Sequence, residues 1–210
     1  MLRYLYGDEL RNYPKLHATM HRDRAAQFGQ RLAWDVNIQN GLEFDQYDAM
    51  NPLYVIWVQP DGCHGGSMRF LPTTAETMIN DHFTHLTGGV EIRHPLIWEC
   101  TRFCLASGAG AKTSARLMLG GLEVGLQFHL TDAVGVFDHR MTRIYRQIGW
   151  PPSILGVSTD NPADTTVGIW AFDPEIRPRL LRRAGISDEL SQAWLDRAFG
   201  SMHFTPQRAA

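Results

Sequence analysis

Cysteine is scarce in this chain. Cys63, Cys100 and Cys104 are odd in number and none stands in a CxxC pair, so they frame neither a disulfide scaffold nor a thiolate metal site. They read as reduced thiols, which suits a cytoplasmic protein. Histidine is more plentiful, but no HExxH occurs; His82 and His85, three apart, come nearest to a ligand pair, and no metal is expected. No run approaches the roughly 18 apolar residues that a membrane span needs. Residues 1–9 contain no apolar h-region, so a secretory leader is not expected either. Charge of one sign is missing too: 20 Lys+Arg stand against 22 Asp+Glu, which argues against a general nucleic-acid surface. Internal repeats and low-complexity tracts are absent.

What remains is an ordinary globular composition, 44% hydrophobic and 20% charged over 210 residues, enough for a sizeable core. The simplest organisation is one domain over residues 1–210, with 185–210 as a helical C-terminal tail. Residues 1–10 read as a first strand. The stretch 12–30 reads as a helix with Leu16, Met20, Arg24 and Phe28 on one stripe and Pro14 near its start. Residues 35–51 are a polar connector turning at Asn40-Gly41. Leu53 to Gln59 is nearly all β-formers; Pro60-Asp61-Gly62 turns the chain, and 66–70 runs back. A short helix around 75–82, a strand over 97–106, a long helix over 113–130, a strand over 133–137 and a helix over 141–148 follow. Two late strands near 154–158 and 166–172 precede a tail that reads as helical from about Asp188. Helices interleaved with a mixed, largely antiparallel sheet predict an α/β sandwich.

Several side chains sit where a plain core would not put them. Arg24 shares a helical stripe with Phe28, and a loop bearing Asp45 and Asp48 follows. An aromatic pair, Phe28 and Trp34, beside an arginine and two aspartates suits a cage for a small zwitterion, although both rings also serve as core. Arg69 interrupts the apolar strand Ser67-Met68-Arg69-Phe70-Leu71. It either snorkels from an edge or pairs with the aspartates to fix a loop or clamp a carboxylate. Glu99 and Arg102 are three apart in a strand, so regular pleating points them to opposite faces, and a bulge at Cys100 or Thr101 is needed to join them. A strand-end ion pair and a polarised carboxylate acting as general base both fit Glu99. The loop Gly108-Ala109-Gly110-Ala111-Lys112 before the long helix lacks the spacing of a phosphate-binding motif.

Taken in order, Arg24, Phe28, Arg31-Leu32-x-Trp34, Glu43-x-Asp45-Gln46-Tyr47-Asp48, Arg69-Phe70-Leu71-Pro72-Thr73, Phe83 and Glu99-x-Thr101-Arg102-Phe103 resemble the autoinducer synthases of the LuxI type. The resemblance runs to at least Gly149-Trp150-Pro151 and is nearest the TraI-like branch. It implies a GNAT-like three-layer sandwich. It also implies an acyltransferase with two substrates: S-adenosyl-L-methionine, consumed rather than kept as a cofactor, and a fatty-acyl thioester on acyl carrier protein or coenzyme A. The methionine amine takes the acyl group, and lactonisation then expels methylthioadenosine to leave a quorum-sensing lactone. The catalytic residues implied are Glu99, Arg102 and Arg69. The S-adenosyl-methionine site would comprise Arg24, Phe28, Trp34, Asp45, Asp48, Arg69, Phe83, Thr101 and Phe103, and the acyl pocket Phe137, Thr142 and Met78. Phe137 stands where the family often has a small hydroxyl residue, with Thr131 and Thr142 as displaced candidates, so a 3-oxo acyl group is not implied. Arg140, Arg143 and Arg146, with the run 177–183, offer a basic face to an acidic carrier, or simply a solvated one. Two other readings fit fewer of these residues: a GNAT-type transferase using acyl-CoA and another amine, and a catalytically silent ligand-binding relative.

Overall fold

A computed structural model describes residues 1–158 and 165–200. The chain opens with β1 (Leu2–Tyr6), a one-turn α1 (Gly7–Leu10) and α2 (Pro14–Arg24), then a π-helical segment, Ala25–Arg31. A small hairpin, β2 (Ile38–Gln39) and β3 (Leu42–Glu43), leads to a 3-10 turn at Gln46–Met50. There follow β4 (Leu53–Val58), β5 (His64–Pro72), α3 (Met78–His82), β6 (Ile97–Leu105), α4 (Thr113–Gln127), β7 (Asp132–Asp138) and α5 (Met141–Ile148). The chain closes with β8 (Ser153–Val157), β9 (Thr165–Ala171), α6 (Arg177–Ala184) and α7 (Asp188–Phe199).

Seven strands form one sheet in the order β1-β4-β5-β6-β7-β9-β8. Among the described residues only β6 and β7 pair in parallel; every other neighbouring pair of this sheet is antiparallel. β4 is apolar throughout because both its faces are covered. Leu53 and Val55 pack with Met68, Phe70 and the α4 residues Leu117 and Leu122 on one face. Tyr54, Ile56 and Val58 meet Leu16 and Met20 of α2 on the other. Each such large side chain contributes roughly 1.5–3 kcal/mol by leaving water. Helices on both faces complete the three-layer sandwich.

Most elements fall where the sequence puts them, and the departures have local causes. The first strand ends at Tyr6 because Gly7–Leu10 coils into α1. The expected helix over 12–30 loses α-geometry after Arg24, and wider backbone bonds such as Leu32 N–H to Gln27 C=O (3.1 Å) take over. Such wide turns cluster at functional sites. Asn40 and Gly41 both lie at positive φ, 53° and 77°, the conformation that a tight two-residue hairpin demands. The short helix expected over 75–82 begins only at Met78. The tail helix expected from about Asp188 is α7, and the arginine-rich run before it forms a separate helix, α6, that the sequence reading did not mark; Pro178 sits in the first turn of α6, where a missing N–H costs nothing. Residues 201–210 of the expected helical tail lie outside the described residues.

The sheet is split at one point. β6 pairs with β7 only through Ile97–Glu99 against Asp132–Val134. Beyond that, β6 keeps β5 and β7 keeps β9, so the two strands part. A side chain at Gly135 would put its Cβ 2.8 Å from the carbonyl oxygen of Cys100, so only glycine permits the approach just before the gap widens. Among the described residues no helix is long and apolar enough to cross a membrane.

Candidate active site

Three arginines and three carboxylates meet between α2, the β3 loop, β5 and β6. Arg24 donates from Nε to Glu43 Oε2 (2.5 Å) and forks onto both oxygens of Asp48 (2.9 and 2.8 Å). Arg69 donates from Nε to Thr101 Oγ1 (3.0 Å), forks onto Asp45 (2.5 and 2.8 Å) and reaches Asp48 (2.8 Å). Arg102 donates to Glu43 (2.9 Å) and lies 2.8 Å from Asp45. Tyr54 donates to Asp48 (2.5 Å). Asp45 and Asp48 also cap each other's backbone N–H across the 46–50 turn, which is why D-x-x-D folds back so tightly. Arg24, Arg69 and Glu43 are fully buried, which is tolerable because each charge is matched and hydrogen-bonded. Burial alone would raise the Asp48 pKa, but Arg24 and then Arg69 hold it well below the usual carboxylate range. Burial of Arg24 is likewise overcome by Asp48 and Glu43, so its charge is permanent.

Arg102 reaches this network through a bulge. Ser67 pairs with Cys104 and Arg69 with Thr101, so Met68 alone opposes Arg102 and Phe103. Arg102 takes the left-handed φ of 52°, a conformation costing roughly 1–2 kcal/mol for a residue with a Cβ. Its pairs to Glu43 and Asp45 hold it there. A bulge does bring Arg102 to the face of Glu99, as the spacing requires, but at 102 rather than at 100 or 101. The two do not pair with each other. Glu99 instead accepts backbone N–H groups of Met78 (3.0 Å) and Ile79 (2.6 Å) at the start of α3. Burial pushes its carboxyl up to about 7, against the lowering by those two bonds and by Arg69.

A cavity of about 500 Å³ runs through the gap between β6 and β7. On the α2 side its wall is Gln27, Arg31, Trp34, Met78, Thr101 and Arg102. On the α4 and α5 side it is mainly apolar and aromatic, with Met68, Phe70, Phe103, Phe137, Tyr145 and Trp170, and Ser114, Asp138 and Arg140 also line it. Trp34 stacks on buried Phe28 (5.3 Å, 9° between planes) and the Arg102 guanidinium lies over the Phe28 ring (5.3 Å), so Phe28 backs the polar end without facing it. The cavity thus joins a charged chamber to an apolar one, and a reacting atom at the strand gap touches both.

Of the residues singled out in the sequence, Trp34, Thr101, Arg102, Phe103, Phe137 and Met78 line this cavity. Others do not. Arg24, Arg69, Asp45 and Asp48 are saturated by one another, so they act as the frame behind the wall, not as free groups caging a cation; the two aspartates open only onto a separate recess of about 250 Å³ beside His17 and His21. Glu99 lies behind Met78. Phe83 is removed from the cavity and packs with Ile79, Leu86, Val134 and Val167 on the outer face of β7. Phe103 is on the apolar side, edge-on to Tyr145 (6.4 Å, 87°), rather than at the charged end, and Met78 is at the charged end, its sulfur 3.7 Å from Arg102 Nη1. Thr142 is not in the wall, and its hydroxyl is buried without a partner; Thr131 Oγ1 is taken by the Leu96 carbonyl (3.2 Å).

Sequence reading quoted Glu43 within the motif but gave it no role, and the structure makes it the bridge between Arg24 and Arg102. The reading missed Tyr145, Trp150 and Trp170, which arrive from separate segments with no shared spacing. One other constellation invites a catalytic reading. Asp23 Oδ2, His64 Nδ1 (2.7 Å), His64 Nε2 and Ser67 Oγ (3.0 Å) form a chain with the order of a hydrolytic triad. Ser67 is buried against α2 and lines neither cavity, so this chain ties α2 to β5.

Comparison with known proteins identifies the family and the fold. The family model described as autoinducer synthase matches residues 8–173. An acyl-homoserine-lactone synthase of Rhizobium etli is 38% identical over 92% of this chain and 93% of its own. Among solved structures, the CoA-dependent acyl-homoserine lactone synthase MesI superposes with a TM-score of 0.79 at 24% identity, covering 90% of this chain and 98% of its own. A second, the CoA-dependent synthase BjaI solved with SAM and isopentyl-CoA, gives 0.80 at 20% identity, covering 89% and 90%. These two likenesses bear on the fold, which is the GNAT-like sandwich.

Proposed function

The chain belongs to the autoinducer synthase family and is an acyltransferase that makes an acyl-homoserine lactone; from that premise we propose that S-adenosyl-methionine occupies the charged chamber and the acyl chain of a carrier-protein thioester the aromatic one. The observation that carries this reading is the single cavity with two unlike ends joined at the parting of β6 and β7. A consumed zwitterion and an apolar chain must meet at one carbon, and only such a gap lets them do so through the sheet.

In this reading Arg31 and Arg102 take the methionine carboxylate, and the exposed face of Trp34 takes the sulfonium or the adenine. The α-amine, with an ordinary pKa near 8, must lose a proton before it attacks the thioester carbonyl. Glu99, held near 7, accepts that proton through a water passing Met78. The oxyanion forms where β6 has lost its β7 partner, so backbone N–H groups of the Arg102–Phe103 bulge are its donors. The amine then carries the acyl group and the thiol leaves. The carboxylate oxygen next closes onto the γ-carbon, and the C–S bond breaks to release methylthioadenosine. That step needs orientation above all, because the sulfonium is already a good leaving group.

The basic surface supports a carrier protein as donor. α5 turns Met141, Ile144 and Tyr145 to the cavity and exposes Arg143 and Arg146 beside it, and Arg179 of α6 joins them by donating to the Gly149 carbonyl (3.1 Å). Purified protein given S-adenosyl-methionine and acyl-carrier thioesters of graded length should release methylthioadenosine, with slower release from the matching acyl-CoA. Silence with every donor would end the enzymatic reading, and faster turnover of acyl-CoA would replace the carrier.

A further inference from the structure

Tyr145 is buried in the aromatic chamber, and three edge-to-face contacts fix its ring: Phe137 at 5.2 Å and 86°, Trp170 at 5.1 Å and 86°, and Phe103 at 6.4 Å and 87°. Its two indole neighbours have found acceptors. Trp150 Nε1 donates to the Ala171 carbonyl and Trp170 Nε1 to the Trp150 carbonyl, both at 3.1 Å. The Tyr145 hydroxyl has no such partner among the described residues, nor is it one of the unpartnered hydroxyls sealed within the protein, which are those of Tyr4, Thr77 and Thr142. It therefore faces the cavity that Tyr145 lines. Buried tyrosines normally pair their hydroxyl, because desolvating it without a partner is costly. One left open inside a substrate cavity waits for an acceptor that the protein does not supply.

The position narrows what that acceptor is. Phe103 belongs to β6 and Phe137 to β7, the two strands that part beyond Glu99 and Val134. The Cys100 thiol, on the same stretch of β6, is close enough to act on the Tyr145 hydroxyl. The hydroxyl is thus at the start of the acyl chamber, next to the strand gap. Burial holds its pKa well above the ordinary tyrosine value, so it remains a donor throughout the neutral range.

We propose that Tyr145 sets acyl selectivity by donating a hydrogen bond to a keto or hydroxyl oxygen carried on the acyl chain a few carbons from the thioester, making oxygenated acyl thioesters the preferred donors. This rests on the synthase reading above. The hydroxyl is presented from α5, with its ring packed edge-on against Phe137 of β7. An unsubstituted chain would leave the tyrosine unpaired and forfeit the bond.

The test pairs donors of equal length, 3-oxo or 3-hydroxy against unsubstituted, with methylthioadenosine release as the readout. Wild-type kcat/KM should favour the oxygenated donor by roughly tenfold, and Tyr145→Phe should erase most of that ratio, the size expected of one neutral hydrogen bond. A melting curve of the variant checks that the ring still packs. A wild type that favours the unsubstituted donor overturns the proposal whatever the variant does, as does a variant that loses both donors equally. Absence of turnover with all donors would instead strike the synthase reading beneath it.

Discussion

The two ends of the cavity are held by opposite means. Behind the charged end, Arg24, Arg69 and Arg102 face Glu43, Asp45 and Asp48, three cations on three anions, and every one of them is engaged. Around the other end, rings touch by their edges, and one hydroxyl has no partner among the described residues. A saturated ionic frame has one geometry and no tolerance for a missing member, whereas an aromatic box adjusts to what enters it. The frame should therefore answer to mutation with loss of fold and turnover together, and the box with altered selectivity.

The largest effect is expected from breaking the frame. Asp48→Ala removes the acceptor of Arg24, Arg69 and Tyr54 at once, and leaving buried cations short of partners costs about 3–5 kcal/mol. For a chain of this size that is a fall in Tm on the order of 10 °C, and calorimetry that finds less than roughly 2 °C would show that the frame is not holding the fold. The pH dependence has a definite sign. Asp48 is depressed from its ordinary 3.8, so its contribution is present above that pH and disappears as acid drives protons onto it.

Glu99 comes next, and its sign is reversed. Its carboxyl is raised from 4.5 to about 7, so the folded state holds the proton more tightly than the unfolded chain. The stability associated with this group is complete below pH 4.5 and is lost as pH rises through about 7. Glu99→Gln should lower turnover by roughly 10²-fold, leave S-adenosyl-methionine binding by titration calorimetry in place, and flatten the rise of kcat/KM across neutral pH. Its melting temperature relative to wild type should also improve between pH 4.5 and 7. Turnover within about twofold of wild type would remove Glu99 as the base.

A smaller effect is expected at the surface. Arg143→Glu with Arg146→Glu should raise KM for an acyl-carrier donor several-fold, roughly the scale of rim charges at an interface, and leave KM for the matching acyl-CoA almost unmoved. An equal change in both would assign these arginines to something other than carrier docking.

Much of the frame was legible because its members carry a cost that sequence alone reveals. An arginine on an apolar helical stripe, another inside a β-run, and a D-x-x-D loop after the first helix cannot all be core unless they meet. The hairpin of β4 and β5 followed from β-rich runs and turn chemistry. What escaped was direction. Asp45 and Asp48 looked available to a ligand cation, yet the fold gives them to the protein's own arginines. The resemblance put Phe83 at the S-adenosyl-methionine site, but α3 ends before it and turns it onto the outer face of β7. Glu99 and Arg102 looked like partners and are separated by their separate duties at α3 and Glu43.

Local chemistry, then, determined the elements, the charged residues that had to find one another, and the family to which their order belongs. Tertiary structure decided which groups remain unpaired. Whether β7 leaves β6 after three pairs, whether an arginine meets a carboxylate or a cavity, and whether a tyrosine finds an acceptor all depend on segments distant in the chain. Sequence spacing carries no distance between such segments, so only their packing could divide the frame from the site.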